Sequence, residues 1–275
     1  MNNFSLGLTV AGGATAVVWL LSLLTGDHSW VDRIWSIIPV VYLWIFAGAA
    51  GFGDARLNVM AVLVTAWGIR LTFNFARKGG YARGGEDYRW ALLRSRMTGW
   101  QFQLFNLLFI AIYQNALLFA ITLPALTAAE HRGGFGALDV IALLLFLALL
   151  AGETLADQQQ WNFHQRKRTE SDAGRPGGIG FLRTGLFRFS RHPNYFCEIA
   201  IWWVVFAFGA IAAGSVAQWT IAGAILLTLL FVGSTAFTEK ITRAKYPEYA
   251  EYQRTTSAIV PWPARNAPAR RTSNA

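Results

Sequence analysis

Hydrophobic residues fill most of the chain in long stretches without charge. A membrane-spanning helix needs about 20 mostly apolar residues. Five segments come close to or exceed that length: Phe4–Leu24, Ile34–Gly53, Leu57–Ala76, Trp100–Ala129 and Gly136–Ala156. A sixth stretch, Ile199–Thr238, has forty uncharged residues. Since forty helical residues extend about 60 Å, twice the hydrocarbon core, this stretch is predicted to fold back near Gly209–Gln218. The pattern predicts an all-α bundle of seven transmembrane helices.

The composition agrees with a membrane-embedded chain. Apolar residues make up 54% of the 275 residues and charged residues only 14%, whereas a soluble domain usually carries about a quarter charged residues. We interpret the net charge of +9 as membrane topology rather than as a nucleic-acid surface. Cys197 is the single cysteine, which excludes an intramolecular disulfide and a metal site built from several cysteines.

Lysine and arginine residues are distributed unevenly between the two sides that seven spans define. One side holds 21 of them, and the other holds only Arg56 and Arg132. Arg70 lies inside the third predicted span. Because basic loops tend to stay in the cytoplasm, this asymmetry predicts an N-terminus outside and a C-terminus in the cytoplasm.

The domain organisation is expected to be simple. The sequence has no internal repeat of the kind that many transporters carry. We therefore predict one catalytic transmembrane domain over residues 1–262, with cytoplasmic loops over 77–99 and 157–194. The small and polar residues of 263–275 predict a disordered tail.

The segment from Glu153 to Glu198 carries the most informative polar pattern. Four polar residues at helical spacing mark one face of the fifth span: Glu153, Asp157, Gln160 and His164. The sixth span then opens with Arg191-His-Pro-Asn-Tyr-Phe-Cys-Glu198, in which Asn194 and Glu198 share a face. A helix N-terminus attracts anions, and Arg191 and His192 add donors. A phosphate-bearing ligand is therefore expected at the cytoplasmic end of this span.

Several of these residues also have an ordinary explanation. The basic residues can be topology signals or contacts to anionic lipid. Asp157 can form a simple helix-end pair, and Arg70 can be a snorkelling side chain. A carboxylate one turn inside a span, as at Glu198, is costly and marks function by default.

Asp32 lies at the predicted membrane edge on the cytoplasmic side. It can act as a helix N-cap or pair with Arg33. Alternatively it faces the bundle interior, where burial would raise its pKa and let it supply or share a proton. His164 and His192 are too isolated to predict a metal site, and the chain has no Rossmann or Walker A motif.

The order of these motifs resembles the steroid 5-alpha-reductase-like membrane reductases, in particular their bacterial branch. The matching segments cover spans two to seven and the tail: Asp32–Trp35, Trp67–Arg70, Glu86–Arg89, Glu153–Asp157, Gly185–Glu198 and Tyr246–Tyr252. The Arg191–Tyr195 element alone is also similar to the isoprenylcysteine methyltransferases. The Glu86–Arg89 and Glu153–Asp157 segments favour the reductases.

The resemblance implies a seven-helix bundle that takes NADPH from the cytoplasm and a lipid-like substrate from the bilayer. The implied reaction reduces a carbon–carbon double bond conjugated to a ketone, as in a 3-oxo-4-ene steroid. In the family an acidic residue and a tyrosine hold the ketone oxygen. Asp32 matches the acidic residue, but Trp67 occupies the tyrosine position. Tyr88 is taken as the substitute, with Tyr42 and Tyr113 as alternatives.

The same resemblance implies a set of cofactor contacts: Arg70, Arg77, Asp157, Arg168, Arg183, Arg191, His192, Asn194, Glu198, Tyr246 and Tyr249. The expected protein is a monomer in the bacterial inner membrane, in contact with a steroid or other isoprenoid enone and with membrane lipid, and without nucleic acid. An S-adenosylmethionine-dependent methyltransferase is the alternative, and a non-catalytic membrane component or transporter is a third hypothesis. Cofactor charge separates the first two, because NADPH carries three phosphates and S-adenosylmethionine carries none.

Overall fold

The computed structural model describes residues 2–173 and 179–264. It is helical, with no strand in those ranges. Its α-helices are, in chain order, α1 (Asn3–Thr25), α2 (Trp30–Ile34), α3 (Ile38–Ala49), α4 (Ala55–Arg77), α5 (Tyr88–Arg94), α6 (Gly99–Phe105), α7 (Gln114–Ala120), α8 (Leu123–Glu130), α9 (Ala137–Asp172), α10 (Pro193–Ala213), α11 (Ile221–Lys245) and α12 (Tyr249–Thr255). A π-helix, Asn106–Tyr113, joins α6 to α7, and a 3-10 helix, Gly185–Arg188, precedes α10. Most of the predicted disordered tail, from residue 265 onward, lies outside the described residues.

Six helical segments in the described chain are long and apolar enough to cross a membrane: Asn3–Thr25, Ala55–Arg77, Gly99–Glu130, Ala137–Asp172, Pro193–Ala213 and Ile221–Lys245. The predicted all-α membrane fold is therefore confirmed. The long uncharged stretch folds back as expected, between α10 and α11. Gly214 takes a φ of 63° in this turn, a left-handed conformation that glycine adopts without a Cβ clash.

The predicted second span, Ile34–Gly53, is shorter in the structure than hydropathy indicated. Helix α3 has only 12 residues, about 18 Å of helix, against a hydrocarbon core of about 30 Å. Pro39 stands in its first turn. Proline has no N–H to donate to the carbonyl oxygen four residues earlier, and its ring clashes with that carbonyl, so a helix cannot continue from residue 35 through Pro39. Residues 35–37 form a turn instead. The structure therefore supports six helices of spanning length rather than seven.

The predicted cytoplasmic loop over 157–194 begins inside a helix. Helix α9 continues for 36 residues to Asp172, about 54 Å, so it is longer than the hydrocarbon core is thick. The helical spacing of polar residues noted in the sequence therefore falls on a real helix face. Residues 174–178 of the loop lie outside the described ranges.

The chain forms two compact units. Unit 1 comprises Met1–Leu147 and Trp202–Leu227, and unit 2 comprises Ala148–Ile201 and Thr228–Ala275. The helices α9, α10 and α11 each contribute residues to both units. The predicted extent of one catalytic domain stays a prediction.

Glycines allow close helix packing within unit 1. Gly68 of α4 lies against the carbonyl oxygen of Ser36 and the side chain of Val40, and Gly223 of α11 lies against the backbone of Ala120. A methyl group at either glycine would overlap these atoms. Small residues of this kind let backbones approach closely where membrane helices pack.

A buried ion pair joins the start of α4 to the start of α9 in unit 1. The Nε and Nη2 atoms of Arg56 donate to the two carboxylate oxygens of Asp139, at 2.6 and 2.9 Å. The side chains are only 4% and 1% exposed. The backbone N–H of Gly136 adds a hydrogen bond to Asp139 at 2.8 Å. Such bidentate pairing offsets part of the cost of burying both charges.

Candidate functional site

The loop after α4 docks onto the turn between α1 and α2 in unit 1. Three hydrogen-bonded pairs join the two segments, each with a sequence separation of 58 residues: His28 with Glu86, Ser29 with Asp87, and Asp32 with Trp90. Residues 28–32 and 86–90 therefore lie alongside each other in a fixed register. We name residues 86–94 the latch. The Glu86–Arg89 motif of the sequence forms its first part.

Glu86 anchors the latch through both carboxylate oxygens. The backbone N–H of His28 donates to Oε1 at 3.0 Å, and the ring Nδ1 of His28 lies 3.0 Å from the same oxygen. Arg94 Nη2 donates to Oε2 at 2.6 Å. His28 is 3% exposed, and its ring packs edge-on against Phe102 with 4.8 Å between centroids. Glu86 thus ties the latch to His28 through two hydrogen-bond contacts, and Arg94 holds the second carboxylate oxygen from within the latch.

Asp87 caps the start of α5, the helix within the latch that brings Trp90 to Asp32. Its Oδ1 accepts the backbone N–H of Arg89 at 2.8 Å, which caps α5. A capping side chain satisfies a donor that the first helical turn leaves without a partner. One turn later, Trp90 Nε1 donates to Asp32 Oδ2 at 3.1 Å. The contact that reaches Asp32 therefore depends on the α5 cap.

Asp32 is a partly buried carboxyl with a raised pKa. Desolvation by burial raises its pKa to about 6, while the hydrogen bond from Trp90 lowers it. Asp87 raises and Arg89 lowers the same pKa by their charges. A carboxyl that titrates near 6 is available in both protonation states close to neutral pH, as general acid chemistry requires.

Arg33 is not the ion-pair partner of Asp32 in the structure. Its Nη2 pairs with Asp27 at 2.5 Å, and its Nε donates to the Gly80 carbonyl oxygen at 3.2 Å. The ordinary explanation of Asp32 as the partner of its neighbour is therefore wrong, because the guanidinium points to the preceding turn.

The candidate partners of Asp32 at the ketone oxygen differ in burial. Tyr88 on α5 is 55% exposed, whereas Tyr42 on α3 is fully buried, and the Tyr42 hydroxyl has no hydrogen-bond partner in the described chain. The Tyr113 hydroxyl donates to a backbone carbonyl oxygen at 3.5 Å. Trp67, at the family's tyrosine position, is fully buried and packs edge-on against Trp202 at 5.0 Å. The catalytic role of Tyr88 stays a prediction.

Unit 2 brings together the polar residues that helical spacing had grouped. Asn194 Nδ2 donates to Asp157 Oδ1 at 3.4 Å, which links the first turn of α10 to α9. Glu153 and Asp157 are each 4% exposed, and Glu198 is 5% exposed. Buried carboxyl groups are costly unless they are paired or functional. Asp157 thus has a half-buried partner on the neighbouring helix, and the functional role of this face stays a prediction.

Glu239 is a site residue that the sequence analysis missed. It lies near the end of α11, is 7% exposed, and gathers three predicted cofactor residues. Arg191 donates to its two oxygens at 2.6 and 2.9 Å, Tyr249 Oη donates at 3.2 Å, and His192 Nε2 lies 3.2 Å from Oε1. Gln253 Nε2 donates at 2.8 Å. A signal was present, since Glu239 is the first charged residue after the long uncharged stretch.

The segment around Arg191 is also fixed through its backbone. The N–H groups of Arg191 and His192 donate to the carbonyl oxygens of Ser257 and Ala258, at 2.8 and 3.1 Å. Arg191 Nη1 donates to the Thr256 carbonyl oxygen. This guanidinium is therefore bonded to acceptors of the chain itself, and its contact with a cofactor stays a prediction.

Tyr246 forms a phenol–ammonium pair with Lys167. The Nζ atom of Lys167 donates to Tyr246 Oη at 2.8 Å and to the Gly180 carbonyl oxygen at 3.3 Å. This hydrogen bond lowers the pKa of the Tyr246 phenol, against a smaller opposing effect of burial. A polarised phenol is a strong hydrogen-bond donor toward an anionic or hydroxylated ligand.

The contact of Gly180 with Tyr246 yields a testable prediction. A Cβ at Gly180 would overlap the Tyr246 ring, so Gly180→Ala displaces the phenol from its pair with Lys167. If Tyr246 contacts NADPH, as the resemblance implies, we expect NADPH affinity to fall about tenfold in a titration of the purified protein, since the loss of a hydrogen bond worth about 1.4 kcal/mol costs a factor of ten. Gly233→Ala is the matched control, because nothing lies within 4 Å of its added Cβ. Unchanged affinity in Gly180→Ala would contradict the cofactor role of Tyr246.

The remaining predicted cofactor residues are distributed over both units. Arg70 and Arg77 lie on α4 in unit 1, where Arg77 donates to Asn74 Oδ1 at 2.7 and 2.9 Å. Arg168 and Arg183 are exposed residues of unit 2. Exposed arginines suit cofactor phosphates and anionic lipid headgroups alike. Both interpretations stay open for these residues.

The types of polar side chain in unit 2 match the chemical groups of a dinucleotide. Exposed arginines match phosphates, and buried carboxyl and amide groups match ribose hydroxyls and a carboxamide. Thr235 Oγ1, one turn before Glu239, is buried without a hydrogen-bond partner in the described chain. Its hydroxyl could therefore donate or accept a hydrogen bond with a ligand. No group of three His, Cys, Asp or Glu side chains that could hold a metal ion occurs among the described residues.

These features define a class of multi-pass helical membrane protein with buried carboxyl groups on polar ends of its helices. Residues 18–256 match the model of the DUF1295 family, described as proteins of unknown function, and the chain belongs to that family. The family is related to the steroid 5-alpha-reductases, so the predicted resemblance is confirmed at this coarser level.

One relative has a different origin from the predicted one. An uncharacterised protein of Schizosaccharomyces pombe is 42% identical over 267 residues, covering 92% of this chain and 78% of that protein. Because this relative is fungal, the comparison lends no support to a specifically bacterial branch. No solved structure matches the chain.

Proposed function

We propose that the protein is an NADPH-dependent reductase of a carbon–carbon double bond conjugated to a ketone in a lipid, with a 3-oxo-4-ene steroid as the first candidate substrate. The relation of its family to the steroid 5-alpha-reductases supports the reaction class. The observation that carries the proposal is the partly buried Asp32 carboxyl, which Trp90 holds by a hydrogen bond and whose pKa burial raises to about 6.

Asp32 supplies the electrophilic assistance in this proposal. Its neutral carboxyl donates a hydrogen bond to the ketone oxygen, where negative charge grows as the double bond is reduced. NADPH supplies the hydride when bound. With that hydride on the beta carbon, the electrons of the double bond would move toward the ketone oxygen that Asp32 holds, and a proton from water would then complete the alpha carbon. Tyr88 is the proposed second donor to that oxygen.

Unit 2 provides the proposed cofactor contacts. Asn194, Asp157 and Glu198 hold the sugar or carboxamide groups, and Tyr246 with Lys167 offers donors to an anionic group. Exposed Arg168 and Arg183 neutralise phosphate charge. These roles follow from the chemistry of the donors and from their grouping within one unit.

The membrane topology that we propose follows from charge. An extracytoplasmic N-terminus, a cytoplasmic C-terminus and a seventh crossing completed by the short α3 would keep 21 basic residues on one side. The proposed location is the bacterial cytoplasmic membrane, and the proposed form is a monomer. Accessibility of single cysteines placed in the loops, in a Cys197→Ala background, tests the orientation.

The deciding experiment measures NADPH oxidation by purified protein with a panel of 3-oxo-4-ene steroids. We expect oxidation that depends on the steroid and a product saturated at the former double bond. The alternative is an S-adenosylmethionine-dependent methyltransferase, favoured by the Arg191–Tyr195 element. Absence of oxidation together with tight binding of S-adenosylmethionine would overturn the reductase.

A further inference from the structure

The Trp90 indole ties the latch to Asp32. It is 6% exposed and packs with Val31 and Ile110 in a core cluster, while its Nε1 donates to Asp32 Oδ2 at 3.1 Å. An indole N–H can only donate, so Oδ2 is the accepting oxygen in both protonation states. The proton of the neutral carboxyl is thereby directed to Oδ1.

We propose that Trp90 is a positioning residue of the reductase site, whose indole N–H orients the Asp32 carboxyl so that Oδ1 presents its proton to the ketone oxygen. This inference rests on the proposed function. In it, Trp90 touches neither substrate nor cofactor and acts only through Asp32. This role would explain the Glu86–Arg89 motif, because the motif fixes α5, the helix that carries Trp90.

The latch is rigid enough to serve this purpose. Glu86 is bonded at both carboxylate oxygens, by His28 and by Arg94. Arg94 Nη1 also donates to the Gly26 carbonyl oxygen at 3.2 Å. The helix that carries Trp90 is therefore bonded to the turn before Asp32 at several points, and the indole has little freedom to move.

Other groups that face Asp32 stay in place when the indole bond is removed. Asp87 and Arg89 act on its carboxyl by charge, and the Ser29 hydroxyl forms a hydrogen bond with it. The Trp90 bond favours the charged form of Asp32. Its loss therefore raises the pKa of Asp32 and frees the orientation of the carboxyl.

Trp90→Phe tests the proposal, because phenylalanine keeps an aromatic ring and loses the N–H. We expect turnover to fall about tenfold at a pH where Asp32 is protonated, the alkaline limb of the pH–rate profile to move to higher pH, and the KM for NADPH to stay unchanged. Trp30→Phe is the matched control. It removes another indole N–H from the same cluster, one that donates to Thr25 Oγ1 at 2.9 Å and not to Asp32.

A measurement without substrate separates this inference from the proposed function. Because the folded chain raises the pKa of Asp32, the contribution of this group to the free energy of unfolding is fully present below pH 3.8, the pKa of the unfolded chain. That contribution is lost as the pH rises through about 6. The pH dependence of Tm should show this step, and Trp90→Phe should move the end of the step to higher pH. If Trp90→Phe does not fold, Glu86→Gln, which loosens the latch, should move it in the same direction.

Each outcome decides one of the two proposals. A wild-type protein that oxidises no NADPH overturns the reductase, whereas the Tm profiles still report whether Trp90 acts on Asp32. If Trp90→Phe keeps the wild-type pH–rate limb and the wild-type Tm profile, the positioning role is wrong. Equal effects of Trp30→Phe and Trp90→Phe overturn it as well, since both would then report a general loss of packing.

Discussion

Asp32→Asn is expected to lower the turnover of the proposed NADPH-dependent enone reduction about 10²-fold while leaving the KM for NADPH nearly unchanged. The amide keeps the shape of the carboxyl and still carries an N–H, but that proton is far less acidic. It therefore stabilises the enolate-like charge on the ketone oxygen less well, and loss of one such donor typically costs 10²- to 10³-fold. Steady-state kinetics with a saturating steroid measures the effect.

The pH profile supplies the specific signature of this variant. If the neutral carboxyl is the donor, wild-type turnover falls as the pH rises through about 6, because Asp32 ionises and loses its proton. Asp32→Asn has no titrating group there, so its profile should be flat over the same range. Asp27→Asn is the control, since the Asp27 carboxylate is the ion-pair partner of Arg33.

Variants of the proposed cofactor contacts should behave in the opposite way. Asn194→Ala and Glu198→Ala are expected to weaken NADPH binding, whereas Asp32→Asn mainly lowers turnover. An equal loss of cofactor affinity in all three variants would contradict this division of roles.

Glu239→Ala is expected to destabilise the protein by about 3–5 kcal/mol, the typical cost of removing one partner of a buried ion pair. The Arg191 and Glu239 side chains are 8% and 9% exposed, so the guanidinium left behind has little access to water. Thermal unfolding in detergent, compared with Glu251→Ala on the exposed side of α12, measures the effect.

A double variant tells whether the Arg191–Glu239 ion pair or the other contacts of Glu239 contribute most to stability. Glu239→Leu with Arg191→Met removes both charges at once and should lose less stability than the sum of the single variants. If the losses simply add, the contacts of Glu239 with Tyr249 and Gln253 carry the stability instead of the ion pair.

The sequence predicted the elements whose signal is local. Long uncharged stretches identified the spanning helices, and the spacing of Glu153 and Asp157 predicted one face because α9 continues through both. The predicted length of the second span was wrong because of a local break in the backbone. Pro39 and the turn before it interrupt a stretch that is apolar throughout, and hydropathy does not register backbone breaks.

The sequence pattern could not predict contacts between residues that are far apart in the chain. Asp32 and Trp90 are 58 residues apart, and no periodicity joins them. Tyr88 was the predicted donor because it stands within the conspicuous Glu86–Arg89 motif. Residues two positions apart on a helix point to different sides, so the exposed Tyr88 and the buried Trp90 have different surroundings although both stand on α5. Glu239 was missed because a lone acid after a span resembles an ordinary helix end.

The pairing of Arg56 with Asp139 has a consequence for how the chain is made. Translation completes α4 long before α9, so during synthesis the guanidinium exists before its carboxylate. It needs water or a lipid headgroup as interim partner until residue 139 emerges, and only then can the ends of the two helices close against each other. A truncated chain that stops before Asp139 should therefore leave this guanidinium without its carboxylate and fail to close the two helix ends against each other.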